Sequence, residues 1–321
     1  MSRSIYIICG LLICSIYSHA AAISIDGVNW KINGAVTNPG ASAEGLLMNA
    51  RMVNSTFEDR AQKDFDSAKN TDQFLSKLSE YNAYGVGAVT LNLQGGFPGY
   101  EGAVNSAFRP NGALKKAYMK RIKRVIDECD KQGMAVILGL FYQRQDQILR
   151  DADAVKQAVV NAVNWVQENK LTNVIIEIAN EYDHGGYDHP QIKSATGEIE
   201  LIRLAKKTTP GLLISTSGLG HGRMDEKISQ EADFILIHFN GTKVEDIPPR
   251  IQALKKFNKP IVCNEDDKLG EEAAQALRAS VANGCSWGFM HKEQNQYAPF
   301  EFNRYADDSI VYDAFKKAAG K

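Results

Sequence analysis

The sequence predicts a single (β/α)8 TIM barrel of the α/β class. Three observations carry that expectation. Short apolar runs rich in β-branched residues, with no polar alternation, read as strands buried on both faces. Stretches with apolar residues three and four apart lie between them and read as amphipathic helices. About eight such units in about 300 residues fit one closed parallel barrel. A doubly wound open sheet is the alternative, and it would want a G-x-G-x-x-G turn after its first strand; the chain has none.

The elements follow in order. Residues 23–33 read as a small hairpin covering the barrel floor, and the first barrel strand is expected near residues 35–38. A polar-faced helix begins near Asn70 and closes at Tyr81. Residues 87–93 (G-A-V-T-L-N-L) form the second strand. Leu114, Tyr118, Ile122, Val125, Ile126 and Cys129 mark a helix that Gly133 ends, before a third strand over 134–140. Val155, Val159, Ala162, Val163 and Val166 repeat the helical pattern. The fourth strand, 173–179, runs into Asn180-Glu181. A helix over 190–207 is stopped by Pro210-Gly211. Strands are then expected at 212–216, 234–238, 260–264 and 285–290. The helices between and after them fall near Asp225, over 244–257, over 271–282 and over 310–318. No linker, repeat or low-complexity stretch interrupts the pattern, so residues 23–321 are read as one domain.

Residues 1–22 are a separate object. Arg3 supplies a positive charge, residues 5–17 are almost entirely apolar, and Ser18-His19-Ala20 offers small residues at the −3 and −1 positions. This reads as a secretory signal peptide, making the protein secreted or periplasmic, with no membrane attachment after cleavage. The alternative, an uncleaved anchor, has an apolar run short of the ~20 residues a span needs. The formal net charge of −1 gives no electrostatic reason to expect nucleic acid. Cys129, Cys263 and Cys285 remain after cleavage. They read as small buried hydrophobes, with a bridge between Cys263 and Cys285 as the alternative.

The chemistry concentrates at strand ends. Glu181 closes the fourth strand and Glu265 the seventh, and the C-terminal ends of barrel strands are where active sites are built. Two facing carboxylates are the minimum equipment for breaking a glycosidic bond. His238 ends the sixth strand and Trp287 falls in the eighth. Gln94 follows the second strand and Tyr142 the third, where both would face the cleft. His184 and His189 invite a metal reading, but their i, i+5 spacing misses the helical two-ligand geometry, so no metal or cofactor is expected. Lys292, Arg144 and Arg223 also follow strand ends; two of them in the cleft would suit an acidic sugar, and solvated surface charge is the plainer reading. Ser215-Thr216-Ser217-Gly218 lacks the G-x-S-x-G frame, and no phosphate-binding loop is present.

On Asn180, Glu181, Glu265, Trp287 and His238 the chain resembles the large clan of retaining barrel glycoside hydrolases, cellulase-like family 5 or a divergent relative. The resemblance implies that Glu181 is the acid/base and Glu265 the nucleophile. It further implies that Asn180 binds the sugar 2-hydroxyl, that Trp287 floors the sugar subsite, and that His238 orients substrate or tunes a carboxylate. The substrate would be a poly- or oligosaccharide. Three family features are missing. The strand-two Arg is absent from the L-N-L-Q-G-G segment beginning at Leu91, the Asp and His near strand three from Gly139-Leu140-Phe141-Tyr142, and the Tyr of the strand-six His-x-Tyr is Asn240. Arg51 is the candidate replacement for the Arg. The gaps motivate a rival reading, a carbohydrate-binding barrel without catalysis; a metal-dependent barrel hydrolase is a third.

Overall fold

A computed structural model describes residues 20–58, 64–95, 105–296 and 301–321. The first nineteen residues of the expected signal peptide lie outside the described residues. The described chain opens with an antiparallel meander of β1 (Ile23–Asp26), β2 (Asn29–Ile32) and β3 (Ala35–Val36). Residues 35–36 therefore belong to this floor sheet, and the first barrel strand is β4 (Asn49–Arg51). β4 escaped the sequence pattern because it is three residues long and two of them are polar, yet all three are buried.

β5 (Ala88–Asn92), β6 (Ala135–Phe141), β7 (Val174–Ala179) and β8 (Ile214–Ser215) follow β4 side by side, all parallel. β9 (Ile235–His238), β10 (Ile261–Glu265) and β11 (Cys285–Ser286) form a second parallel arc. β12 (Gly288–Phe289) continues β11 past Trp287 and pairs with β4. Bridges at Ser217–Leu236 and Asp266–Phe289 join the arcs, so the sheet closes as a (β/α)8 barrel.

The helical shell contains α1 (Ser67–Leu75), α2 (Leu78–Ala83), α3 (Lys116–Lys131), α4 (Ala152–Glu168), α5 (Pro190–Lys193), α6 (Ala195–Thr208), α7 (Glu226–Glu231), α8 (Ile247–Leu254), α9 (Gly270–Ala282) and α10 (Ser309–Ala319). On α3 the predicted stripe of Tyr118, Ile122, Val125, Ile126 and Cys129 is the buried face. Each such side chain contributes roughly 1.5–3 kcal/mol of hydrophobic burial. The helix expected over 190–207 is two helices, because Ser194 turns extended and its hydroxyl caps α6 at Gly197 N. Cys129, Cys263 and Cys285 are buried free thiols, and the bridge is not formed.

The barrel interior is layered. At the floor Trp30, delivered by β2, packs with Leu47, Ala88, Ala135, Ile175, Leu236 and Val262, and meets Phe234 edge-on at 5.3 Å. Higher up the filling turns polar: Asn92, Gly139, Glu177 and Ser215 are in register across four adjacent strands. Gly139 makes room for this layer, since a Cβ there would lie 2.5 Å from Asn92 Oδ1 and 3.2 Å from Glu177 Oε2. Branched apolar residues normally fill a barrel at this level, so the polar layer marks the approach to the site above it.

Candidate active site

Backbone irregularities present both glutamates. Glu181 takes a left-handed conformation (φ 53°), uncommon for a side chain of this size, and its N–H donates to Ser217 Oγ at 2.9 Å. β10 shifts register against β9 between Cys263 and Glu265. That bulge lets two successive residues turn inward: Asn264 donates to Glu177 Oε2 inside the barrel at 3.2 Å, and Glu265 faces the mouth. Carboxylate oxygens of Glu181 and Glu265 and a ring nitrogen of His238 all lie within 4.8 Å of one another.

The environments of the two carboxylates differ. Glu265 Oε2 is 3.1 Å from Arg51 Nε, and Oε1 accepts from Asn240 Nδ2 at 2.5 Å. Burial opposes its ionisation, but Arg51, His238, Asn240 and Lys292 outweigh burial and hold the carboxyl below the usual range. Glu181, with a side chain 12% exposed, meets Gln143 Nε2 at 3.4 Å and His238 Nδ1 at 3.3 Å. His238 is fully buried. Burial favours its neutral form, yet Glu265, Glu177 and Glu181 together push its pKa up to about 10.

Arg51 organises the mouth. Its Nη2 donates to Asn180 Oδ1 at 2.8 Å and its Nε to Gln296 Oε1 at 2.8 Å. Asn180 in turn donates to Gln143 Oε1 at 3.2 Å. Arg51 therefore does not follow the first strand, as the sequence suggested, but ends it, and its guanidinium touches both glutamate-bearing segments. The strand-six position that lacks Tyr holds Asn240, which supplies a donor to Glu265. Gln143 lies just past the third strand against Glu181 and Asn180. Gln143, Gln296 and Glu177 are site neighbours that the sequence does not flag, whereas Asn240 stands where the Tyr of His-x-Tyr is missing.

Three expected cleft residues stand elsewhere or do other work. Trp287 is fully buried and faces outward, packed on Phe289 at 6.0 Å and on Phe315 of α10 at 5.4 Å, with its indole N–H on Asp266 Oδ2 at 2.9 Å. Strand parity is the reason. Ser286 turns inward, accepting Leu47 N at 2.8 Å, so its neighbour Trp287 must turn to the helices. Gln94 is buried with its amide spent on Ser106 Oγ and the Gln145 carbonyl, both at 3.1 Å, so it ties loops rather than facing a ligand. Tyr142 is 1% exposed, its hydroxyl accepts from Gln296 Nε2 at 3.2 Å, and Arg51 lies 5.8 Å over its ring. A Cβ on Gly95 (φ +96°) would overlap that ring, so glycine is required there.

The histidine-rich loop is tied down too. His189 Nδ1 lies 2.8 Å from Asp146 Oδ2, and His184 Nδ1 accepts from Gly186 N at 2.9 Å. Lys292 pairs with Asp267. Glu181, His238 and Glu265 are spaced to hold a divalent ion. However, a protonated imidazole offers no lone pair and Arg51 already sits on Glu265, so the donor set suits proton and charge transfer better than ligation.

Two carboxylates at the C-terminal mouth of a closed parallel barrel are the equipment that barrel glycosidases use. The family model described as Cellulase (glycosyl hydrolase family 5) matches residues 68–230 of this 321-residue chain. The chain belongs to glycosyl hydrolase family 5 and is a glycosidase. No curated protein matches it in sequence. Among solved structures it is similar to a protein assigned as a glycoside hydrolase from Bacteroides vulgatus ATCC 8482, with TM-score 0.66 and 13% identity over 94% of this chain; the match spans 60% of that longer protein. It is similar to a GH5-4 broad specificity endoglucanase from Clostridium longisporum, with TM-score 0.61 and 11% identity over 89% of this chain and 98% of that one. It is also similar to a β-1,4-D-mannanase from Cryptopygus antarcticus, with TM-score 0.60 and 13% identity over 92% and 95% of the two chains. At these identities the likeness is one of fold. Among the described residues no helix is long and apolar enough to cross a membrane.

Proposed function

We propose that the protein cleaves O-glycosidic bonds of a poly- or oligosaccharide by double displacement, with retention of anomeric configuration. The observation that carries this reading is the unlike pairing of two carboxylates whose oxygens approach within 4.8 Å. Retaining enzymes hold the pair about 5–5.5 Å apart, whereas inverting enzymes leave room for water at about 6.5–9.5 Å. Glu265, cradled by Arg51, Asn240 and His238, is the ionised nucleophile. Its oxygen bonds to the anomeric carbon as the bond to the leaving oxygen breaks. Glu181 gives its proton to that oxygen, then takes one from the water that cleaves the glycosyl ester. Asn180, fixed by Arg51 and Gln143, is placed to contact the 2-hydroxyl.

A hydrolysis screen against aryl glycosides and a polysaccharide panel, wild type beside Glu265→Gln, tests this. We expect a loss of at least about 10³-fold in kcat with unchanged folding, and NMR of the first-formed sugar should reveal the substrate's own anomer. Turnover surviving in Glu265→Gln, or an inverted first product, would overturn the mechanism.

We also propose that residues 1–22 direct secretion or periplasmic export. Cleavage after Ala20 would make Ala21 the amino terminus, and Ala21 N already bonds Asp130 Oδ1 beneath the barrel. The new ammonium would gain a carboxylate partner. N-terminal sequencing of exported protein should begin near Ala21; an intact Met1 there would sink the proposal.

A further inference from the structure

Glu177 is a third glutamate in the barrel, buried in the polar layer directly below the site, and nothing in the chemistry above uses it. We propose that Glu177 is a positioning residue for the catalytic pair: its carboxylate holds His238 as the cation that bridges Glu181 and Glu265. This rests on the reading of those two glutamates as acid/base and nucleophile.

The geometry is a buried column. Glu177 Oε1 lies 3.8 Å from His238 Nε2, and both side chains are 0% exposed. The other oxygen, Oε2, is pinned by Asn264 Nδ2 at 3.2 Å. Among the described residues neither Oε1 nor Nε2 has a hydrogen-bond partner of its own, so each is the other's available counterpart. On the far side of the ring, Nδ1 lies 3.3 Å from Glu181 Oε1 and 3.8 Å from Glu265 Oε2. Gly139, in register with Glu177, leaves the space in which the carboxylate sits.

Charge balance gives the column its purpose. On that reading Glu181 enters the first step with its proton and Glu265 without one, so an anionic Glu177 offsets His238 as Arg51 offsets Glu265, and the buried set is neutral. Once Glu265 is esterified and Glu181 has lost its proton, Glu177 and Glu181 carry the negative charges and the set is neutral again. Lys292 also acts on Glu265 but is 41% exposed and paired with Asp267. Without the Glu177 charge both states hold an uncompensated buried cation, which is costly in a low-dielectric interior. The imidazole would then hold its proton less tightly, and the cation that faces Glu181 and Glu265 would be lost at a lower pH.

The test is the His238 imidazole itself, followed by nitrogen NMR of histidine-labelled protein and identified by its absence in His238→Asn. In the wild type the ring should remain cationic through pH 9, in line with its pKa of about 10. In Glu177→Gln its titration should move down by at least about one pH unit. With that move, the alkaline limb of the kcat profile should shift down by a similar amount while KM changes by less than about twofold. A neutral His238 in the wild type at pH 7 would overturn the proposal without any variant, and so would an unmoved titration in Glu177→Gln. The resonance needs no turnover. Survival of hydrolysis in Glu265→Gln would defeat the catalytic reading and leave this one to be judged separately.

Discussion

The fourth and seventh strand ends each present one glutamate to the same mouth, and they do so by different means. The seventh uses a bulge and then surrounds Glu265 with charge and donors: Arg51 at 3.1 Å and Asn240 at 2.5 Å. The fourth uses a left-handed backbone and gives Glu181 a weaker set, Gln143 at 3.4 Å and His238 at 3.3 Å. Environment, rather than side-chain type, sets two identical carboxyl groups apart. The largest break in that contrast comes from Arg51, which touches Glu265 and Asn180 together. Arg51→Ala should cost about 10³-fold in kcat/KM, or about 4 kcal/mol. It should also raise the Glu265 pKa, moving the acid limb of the pH profile upward. A loss below about tenfold would show that the guanidinium does not set the nucleophile apart.

The seventh strand end is also anchored from behind. Asp266, next to Glu265, accepts from Trp287 Nε1 and Lys268 Nζ, both at 2.9 Å. Trp287→Phe keeps a ring against Phe315 and removes the N–H, so it should cost about 1–3 kcal/mol of stability. KM should change less than about twofold. Denaturant unfolding beside steady-state kinetics checks both. A tenfold rise in KM with unaltered stability would return Trp287 to the cleft.

Asn240→Ala trims the same end more finely. Burial works against ionisation of Glu265, and Arg51, His238 and Asn240 work for it. Removing one donor raises the carboxyl pKa, and the nucleophile must be ionised to react. The acid limb of kcat/KM should therefore move to higher pH, with a loss of about tenfold near neutrality. An unmoved limb would assign Asn240 to packing.

Much of this contrast could be read before any coordinates, and the reason is periodicity. Long buried strands such as Val174–Ala179 and amphipathic helices such as α3 carry their pattern in consecutive residues. The two glutamates were legible because each follows such a run. β4 was not, since three residues give no period, and Arg51 was displaced from its strand as a result. Trp287 was misplaced for a related reason. A strand interrupted into Cys285–Ser286 and Gly288–Phe289 hides its inward parity, which Ser286 fixes through a contact with Leu47 far away in sequence. Glu177 sat within a run read as uniformly apolar, and only closure of the barrel brings His238 and Asn264 to it.

The effect most remote from the chemistry concerns a glutamate with neither a bulge nor a cation. Glu198, on α6 behind the fourth strand end, is fully buried. Burial pushes its carboxyl well above the ordinary value of 4.5; Thr216 counters part of that and Glu177 adds to it. The sign follows from linkage. Above pH 4.5 the unfolded chain releases the proton while the folded chain keeps it, so native stability falls as pH rises, until the raised pKa is passed. Glu198→Gln cannot ionise in either state. Relative to wild type, the variant should therefore gain stability with rising pH, by about 1 kcal/mol for each unit over the part of the range below that raised pKa. Urea midpoints at pH 5, 6.5 and 8 read the slope, whatever the absolute cost of the buried amide. A flat difference would mean that Glu198 ionises in the folded protein and belongs, electrostatically, with Glu265 rather than apart from it.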